Sequence, residues 1–145
     1  MADVFIGYAS EDEKIARMLS DALEDTGLSA WYAGRDMEPG DFIPISIAEA
    51  IKQCRVFVVI LSKFSVCSEY LLSELQYAFK ARYEGAGIIF FFPLVVQWEG
   101  KSVLSERLVK ENLWFDATVP PLRERLREFA QFIREQLRKA RENAS

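Results

Sequence analysis

Residues 55–61, RVFVVIL, open with Arg55 and continue as an unbroken run of β-branched and large apolar side chains. A strand with water on one side alternates polar and apolar residues, and this one does not. The run therefore predicts a strand covered on both faces, the middle of a parallel sheet. Outward from it, other apolar runs alternate with segments of helical period, the pattern of a parallel sheet flanked by helices.

Upstream, VFIGY (4–8) predicts a first strand, and SEDEK follows it with acids suited to a helix N-terminus and Ser10 as the cap. Ile15, Met18, Leu19, Ala22 and Leu23 then recur at helical spacing as far as Gly27, a natural stop. LSAWYA (28–33) predicts a second strand, and GRDMEPGDF a loop punctuated by Gly34, Pro39 and Gly40. Pro44 suits the first turn of a helix presenting Ile47, Ala48 and Ile51 on one side.

Downstream, a helix runs from about Ser68 to Tyr83. A fourth strand at 88–96 follows, with Pro93 marking its end or a kink. Residues 97–111 carry the weakest pattern, with a short helix around 103–109; LWFD (113–116) reads as a small fifth strand. In the last helix Leu122, Leu126, Phe129, Ile133 and Leu137 share one side, and its many charges of both signs form a solvated face. Right-handed crossovers, with the continuous apolar strands in the middle, give a flavodoxin-like α/β fold: a five-stranded parallel sheet, order 2-1-3-4-5, helices on both faces. Residues 1–145 form one domain, either a stand-alone effector or one module of a longer protein in which a sensor or regulatory domain detects the trigger.

Composition removes several chemistries. The chain is 50% hydrophobic with a net charge of −4, a folded soluble protein rather than a polybasic binder, so nucleic acid is not an expected partner. It has no histidine, which removes a zinc site of the usual kind, a Ser-His-Asp triad and a Cys-His pair; no metal or resident cofactor is expected. Cys54 and Cys67 sit beside apolar runs and read as reduced intracellular thiols. The N-terminus lacks a signal-peptide pattern, and the longest apolar run, GIIFFFPLVV, is too short to span a bilayer. A cytoplasmic location without membrane contact is the expectation.

Ligands of such sheets bind beyond the carboxyl ends of the strands. There YAS follows strand one, the glycine-proline loop follows strand two, and SKFSVCSEY follows strand three. On the helix after strand three, Leu71, Leu72, Leu75, Ala78 and Phe79 form the apolar stripe. Glu69 lies opposite it, while Glu74 lies on its flank, roughly 100 degrees from the centre, framed by Tyr70 and Tyr77. From geometry alone Glu74 is either a boundary carboxylate paired with Lys or Arg, or an acid bordering a pocket. The loop holding Arg35, Asp36 and Phe42 is either a plain connection or a lid or protein-binding surface. No phosphate-binding glycine motif is present. A phospho-acceptor receiver is disfavoured because GYASED and VVILSK stand where that chemistry needs acids.

Together these stretches resemble the Toll/interleukin-receptor (TIR) domain family. DVFIGYASED is similar to its first box, RDMEPGD to its second box and BB loop, RVFVVILSKFSVCSEYLLSEL to its third strand and following helix, and LWFD more loosely to its third box. The resemblance spans essentially the whole chain and implies one of two functions. Some members cleave NAD+ at the nicotinamide–ribose bond with one glutamate on the helix after strand three, and Glu74 matches that position. Others are non-enzymatic modules that scaffold signalling complexes through the BB loop, here Asp36, Met37, Glu38, Pro39, Gly40 and Asp41.

The chain departs from the family at Tyr70, where tryptophan is frequent, and at Gly7, where serine is. One acid suffices for the enzymatic branch, because nicotinamide in NAD+ is already cationic and departs as a neutral base, unlike the alkoxide of an ordinary glycoside. The resemblance makes Tyr8, Trp31, Phe42 and Tyr70 candidate walls for nicotinamide and ribose, and Ser10 and Arg35 candidate contacts to hydroxyl or phosphate groups. Each has an alternative as a core or solvent residue. It further implies NAD+ as substrate, self-association with other TIR domains as the activating step, and a role in immune or antiphage signalling.

Overall fold

The computed structural model describes residues 2–37, 43–65, 75–78, 80, 85, 87–88, 90–97 and 114–144. Five parallel strands form one sheet in the order β2-β1-β3-β4-β5, the order expected from sequence. They are β1 (Val4–Gly7), β2 (Ala30–Trp31), β3 (Val56–Leu61), β4 (Phe90–Val95) and β5 (Phe115–Asp116). Every residue of β3 is buried, as its unbroken apolar run requires.

Alternate residues of each strand feed two cores. Val4, Ile6, Val58, Ile60 and Phe92 face α1 (Glu13–Asp25) and the last helix, which contributes Leu126, Phe129, Ile133 and Leu137. Phe5, Phe57, Val59, Phe91 and Val95 face the other side, with Ile47 and Ile51 of α3 (Ile43–Gln53) and with Leu75 and Ala78. On that side the rings of Trp31, Phe5, Phe57 and Phe91 stack across four strands at centroid spacings of 5.1, 5.0 and 5.3 Å. The last helix, α4, is Leu122–Ala144, and α2 is a single turn, Ala33–Asp36.

Several boundaries differ from the sequence reading, each for a local reason. Ser10 does not cap α1: Ser10–Asp12 form a 3-10 turn, α1 starts at Glu13 without a side-chain cap, and Ser10 Oγ donates to Glu11 instead. Strand two is shorter than 28–33. The Leu28 N–H is spent on Leu23 O in the turn that closes α1 around Gly27 (φ +91), and the Tyr32 N–H donates to Asp36 Oδ2, which curls the chain into α2. Part of the expected loop is thus helical.

Pro93 neither ends nor interrupts strand four, because Val59 pairs with Pro93 and β4 continues to Val95. Phe90 and Val96 donate their N–H groups to β3, so the position of Pro93, odd in that alternation, would aim its N–H at the β5 side. Among the described residues pairing with β5 begins at Leu94, so the missing donor costs no described ladder bond. Strand five, expected at 113–116, is Phe115–Asp116, with Trp114 outside it and exposed and Leu113 outside the described residues. The helix expected at 103–109 lies outside the described residues, as do most of the expected helix at 68–83 and Cys67.

Candidate functional site at the carboxyl edge of the sheet

The carboxyl ends of β1 and β3 meet through a buried carboxylate. Asp12 closes the 3-10 turn after β1 and is 4% exposed, and its Oδ2 accepts a 2.5 Å hydrogen bond from Ser62 Oγ at the end of β3. Ser62 Oγ also accepts the N–H groups of Phe64 and Ser65, at 3.1 and 3.4 Å. Ser65 Oγ accepts the Ser62 N–H and donates to Ser62 O. Burial pushes the Asp12 carboxyl above its ordinary range; the Ser62 bond opposes this, and neighbouring Glu11 adds to it. Asp12, Ser62, Lys63, Phe64, Gln97 and Thr118 line a hollow of about 630 Å³ beyond β3, β4 and β5. Phe64 is 38% exposed there, with Lys63 Nζ 5.1 Å above its ring.

The sequence reading did not single out Asp12 or Ser62. The signal was present, since Asp12 precedes Ala16, Leu19 and Leu23 at helical spacing and so is an acid in line with the apolar stripe of the helix that follows it.

Tyr8 and Trp31, both expected at the pocket, are held by opposite faces of the sheet. Tyr8 belongs to the α1 side, where its hydroxyl accepts the Gly34 N–H at 2.9 Å and its ring meets Tyr32 edge-on. Trp31 stacks on Phe5 on the α3 side. The Gly34 contact is close: a side chain there would place its Cβ 1.7 Å from Glu13 Oε1 and 3.0 Å from the Tyr8 hydroxyl.

Arg35 is enclosed by acceptors. Its guanidinium donates to Glu24, Ser20 Oγ and Ala30 O and forks onto Asp36, with its carbon 5.0 Å from the centre of the Tyr32 ring. The Asp36 bonds raise its affinity for the proton; burial opposes that, and Glu24 adds to it. A second hollow of about 400 Å³, between α1 and α2, is lined by Arg35 with Lys14 and Arg17; Lys14 also lines the hollow at the Asp12–Ser62 edge, whose described lining does not include Arg35. Ser10 is exposed, and Met37 packs on the α3-side core.

Glu38, Pro39, Gly40, Asp41, Phe42, Tyr70 and Glu74 lie outside the described residues. Leu75, the residue bonded to Glu74, begins the described helical stretch 75–78 and is 2% exposed in the α3-side core, with Ala78 beside it. Among the described residues, no cluster of acids and cysteines is arranged to hold a metal, and no helix is long and apolar enough to cross a membrane.

These features define a doubly wound parallel α/β domain whose strand carboxyl ends carry a polar, partly hollow edge. A family model described as TIR domain matches residues 4–132, and the chain belongs to the TIR domain family. A Brachypodium distachyon protein named probable 2′ cyclic ADP-D-ribose synthase BdTIR is 38% identical over 82 residues, which cover 55% of this chain and 37% of that protein. The match thus spans little more than a third of the relative's length. Among solved structures, the TIR domain of the Toll-related receptor TRR-2 from Hydra magnipapillata superposes with a TM-score of 0.70 at 21% identity, covering 97% of this chain and 99% of that one. The TIR domain heterodimer of RPS4 and RRS1 gives 0.61 at 18%, covering 91% and 95%. Both likenesses are of fold.

Proposed function

We propose that this domain cleaves NAD+ at the nicotinamide–ribose bond, with Glu74 as the catalytic carboxylate. The observation that carries the reading is the 38% identity to a relative named as a cyclic ADP-ribose synthase. A cyclic ADP-ribose is what remains when nicotinamide leaves NAD+ and a hydroxyl of the same molecule closes on the anomeric carbon. The leaving nicotinamide takes the electron pair of the C–N bond and becomes neutral. Glu74 holds the ribose hydroxyls and stabilises the positive charge that develops on the sugar. Water then intercepts the cation to give ADP-ribose and a proton, or an internal hydroxyl intercepts it to give a cyclic product and a proton. Neither route needs histidine or metal.

Tyr8, Trp31, Phe42 and Tyr70 are the proposed aromatic surroundings, with Ser10 as a polar contact. Tyr8 and Trp31 act from opposite sides of the sheet edge, and Arg35 contributes through the shape of α2, since its donors are engaged within the protein. Self-association through residues 36–41 activates the domain, and its setting is cytoplasmic immune or cell-death signalling. The heterodimeric TIR structure supports assembly as a use of this fold.

Purified protein, dilute and concentrated on a surface, incubated with NAD+ and followed by mass spectrometry, tests the proposal. Nicotinamide release that Glu74→Ala abolishes is the expected result. Absence of release in every assembled state, with partner binding intact, identifies a scaffold acting through residues 36–41 instead.

A further inference from the structure

Asp12 stands at the cap position of α1 and does not cap it, since no side-chain bond runs from its carboxylate to the first turn. Its Oδ2 takes the Ser62 hydroxyl instead. The other oxygen, Oδ1, has no partner among the described residues. It is not sealed from solvent either, because the enclosed side-chain polar atom left unpaired among those residues is Arg125 Nε. Asp12 is 4% exposed and lines the hollow beyond β3, β4 and β5, so the opening it keeps is into that hollow.

Ser62 cannot serve both oxygens. Its hydroxyl has one proton, given to Oδ2, and its lone pairs face the N–H groups of Phe64 and Ser65. Nor does a described cation answer the carboxylate. Burial raises the Asp12 pKa, the Ser62 bond opposes this and Glu11 adds to it, whereas Lys14 and Lys63, which line the same hollow, do not lower it. A buried carboxylate with an open oxygen and no cationic partner is an acceptor suited to a donor that carries positive charge.

The rest of the hollow indicates what that donor is attached to. Ile15, Val96 and Leu122 give apolar walls, and Phe64 adds a ring that already holds the Lys63 ammonium 5.1 Å from its centre. A bare metal ion is a poor match, because among the described residues no three acids or cysteines converge and apolar walls offer it no oxygen.

We propose that this hollow binds an organic ammonium ion carried on an apolar body: the ammonium donates to Asp12 Oδ1, and the body lies against Ile15, Val96 and Leu122 beside the Phe64 ring. None of the residues assigned to NAD+ is among those described around the hollow, so the site stands whether or not the domain cleaves NAD+.

The experiment titrates wild type, Asp12→Asn, Phe64→Ala and Gln97→Trp with 2-phenylethylammonium, following amide chemical shifts at Asp12, Phe64 and Thr118. 2-Phenylethanol is the uncharged probe of the same shape. Wild type binds the ammonium with a Kd below about 1 mM and the alcohol at least about tenfold more weakly, the difference a charge-assisted bond makes. Asp12→Asn weakens the ammonium about tenfold and brings the two probes level, while Phe64→Ala weakens it about threefold. Gln97→Trp fills the mouth of the hollow without touching Asp12 and weakens both probes. Magnesium chloride does not displace the ammonium, and NAD+ added to Glu74→Ala leaves its Kd within about twofold.

No shift in wild type up to about 10 mM 2-phenylethylammonium overturns the proposal, as does equal affinity for the alcohol. Unchanged affinity in a folded Asp12→Asn overturns it too. Displacement by magnesium makes the hollow a metal site, displacement by NAD+ makes it part of the NAD+ site, and either result ends the proposal. If Asp12→Asn does not fold, the preference of wild type for the ammonium and its weakening in Gln97→Trp decide the question.

Discussion

Arg35 and Asp12 are both charged residues in loops near the edge where ligands of this fold bind, and the protein treats them in opposite ways. Arg35 gathers two carboxylates, a hydroxyl and a backbone carbonyl around a guanidinium whose side chain remains 37% exposed. Asp12 is 4% exposed, and the side chain that answers it is one serine. The first arrangement fastens β2 and α2 to α1 by many weak, solvent-screened contacts. The second joins the turn after β1 to the chain leaving β3 by one bond whose loss leaves a charge in the core. The residue that looks most available for a ligand in the sequence is thus the one most fully engaged, while the one that reads as a plain helix-start acid sits at the junction of the site.

That contrast can be broken experimentally, and Ser62→Ala gives the largest effect. Removing the donor strands the Asp12 carboxylate, and denaturant unfolding shows a loss of about 1–3 kcal/mol. Arg35→Ala costs less, about 1 kcal/mol after allowance for solvent screening of a partly exposed network. Salt separates the two: in 1 M NaCl, where the screening length is about 3 Å, the Arg35→Ala difference shrinks and the Ser62→Ala difference persists. Equal salt dependence would erase the distinction.

The smallest effect is on pH. Because burial raises the Asp12 pKa, the folded state holds that proton more tightly than the unfolded chain. The contribution of Asp12 to stability is greatest below the ordinary value of 3.8 and is lost as pH rises through the folded value. Asp12→Asn removes this titration, so its stability relative to wild type increases from acid to neutral pH. Asp116 has the opposite sign. The Thr118 hydroxyl and N–H lower its pKa, and its contribution is present at neutral pH and lost as pH falls through the folded value. Asp116→Asn therefore loses stability relative to wild type over the same rise in pH.

The strand order and both cores were legible because period-2 and period-3.6 apolar patterns report burial directly, and β3 with its unbroken run is the clearest case. Elements set by side-chain to backbone bonds were not legible. Strand two stops because Asp36 takes the Tyr32 N–H, and Ser10 gives up its capping role to a 3-10 turn. The opposite placement of Tyr8 and Trp31 was recoverable in principle: Phe5 pairs with Trp31, and Tyr8 is an odd number of residues from Phe5. Asp12 could also have been found as an acid in line with an apolar stripe. Its partner, fifty residues away, could not.

The central claim is that this TIR domain breaks the nicotinamide–ribose bond with one carboxylate. Its most direct test is nicotinamide release from NAD+ by the assembled wild-type protein beside Glu74→Ala, quantified by mass spectrometry with product identification. The account predicts release by wild type, with ADP-ribose or its cyclic form in equal amount, and at least a roughly hundredfold loss in the variant. Equal release by both proteins would contradict it.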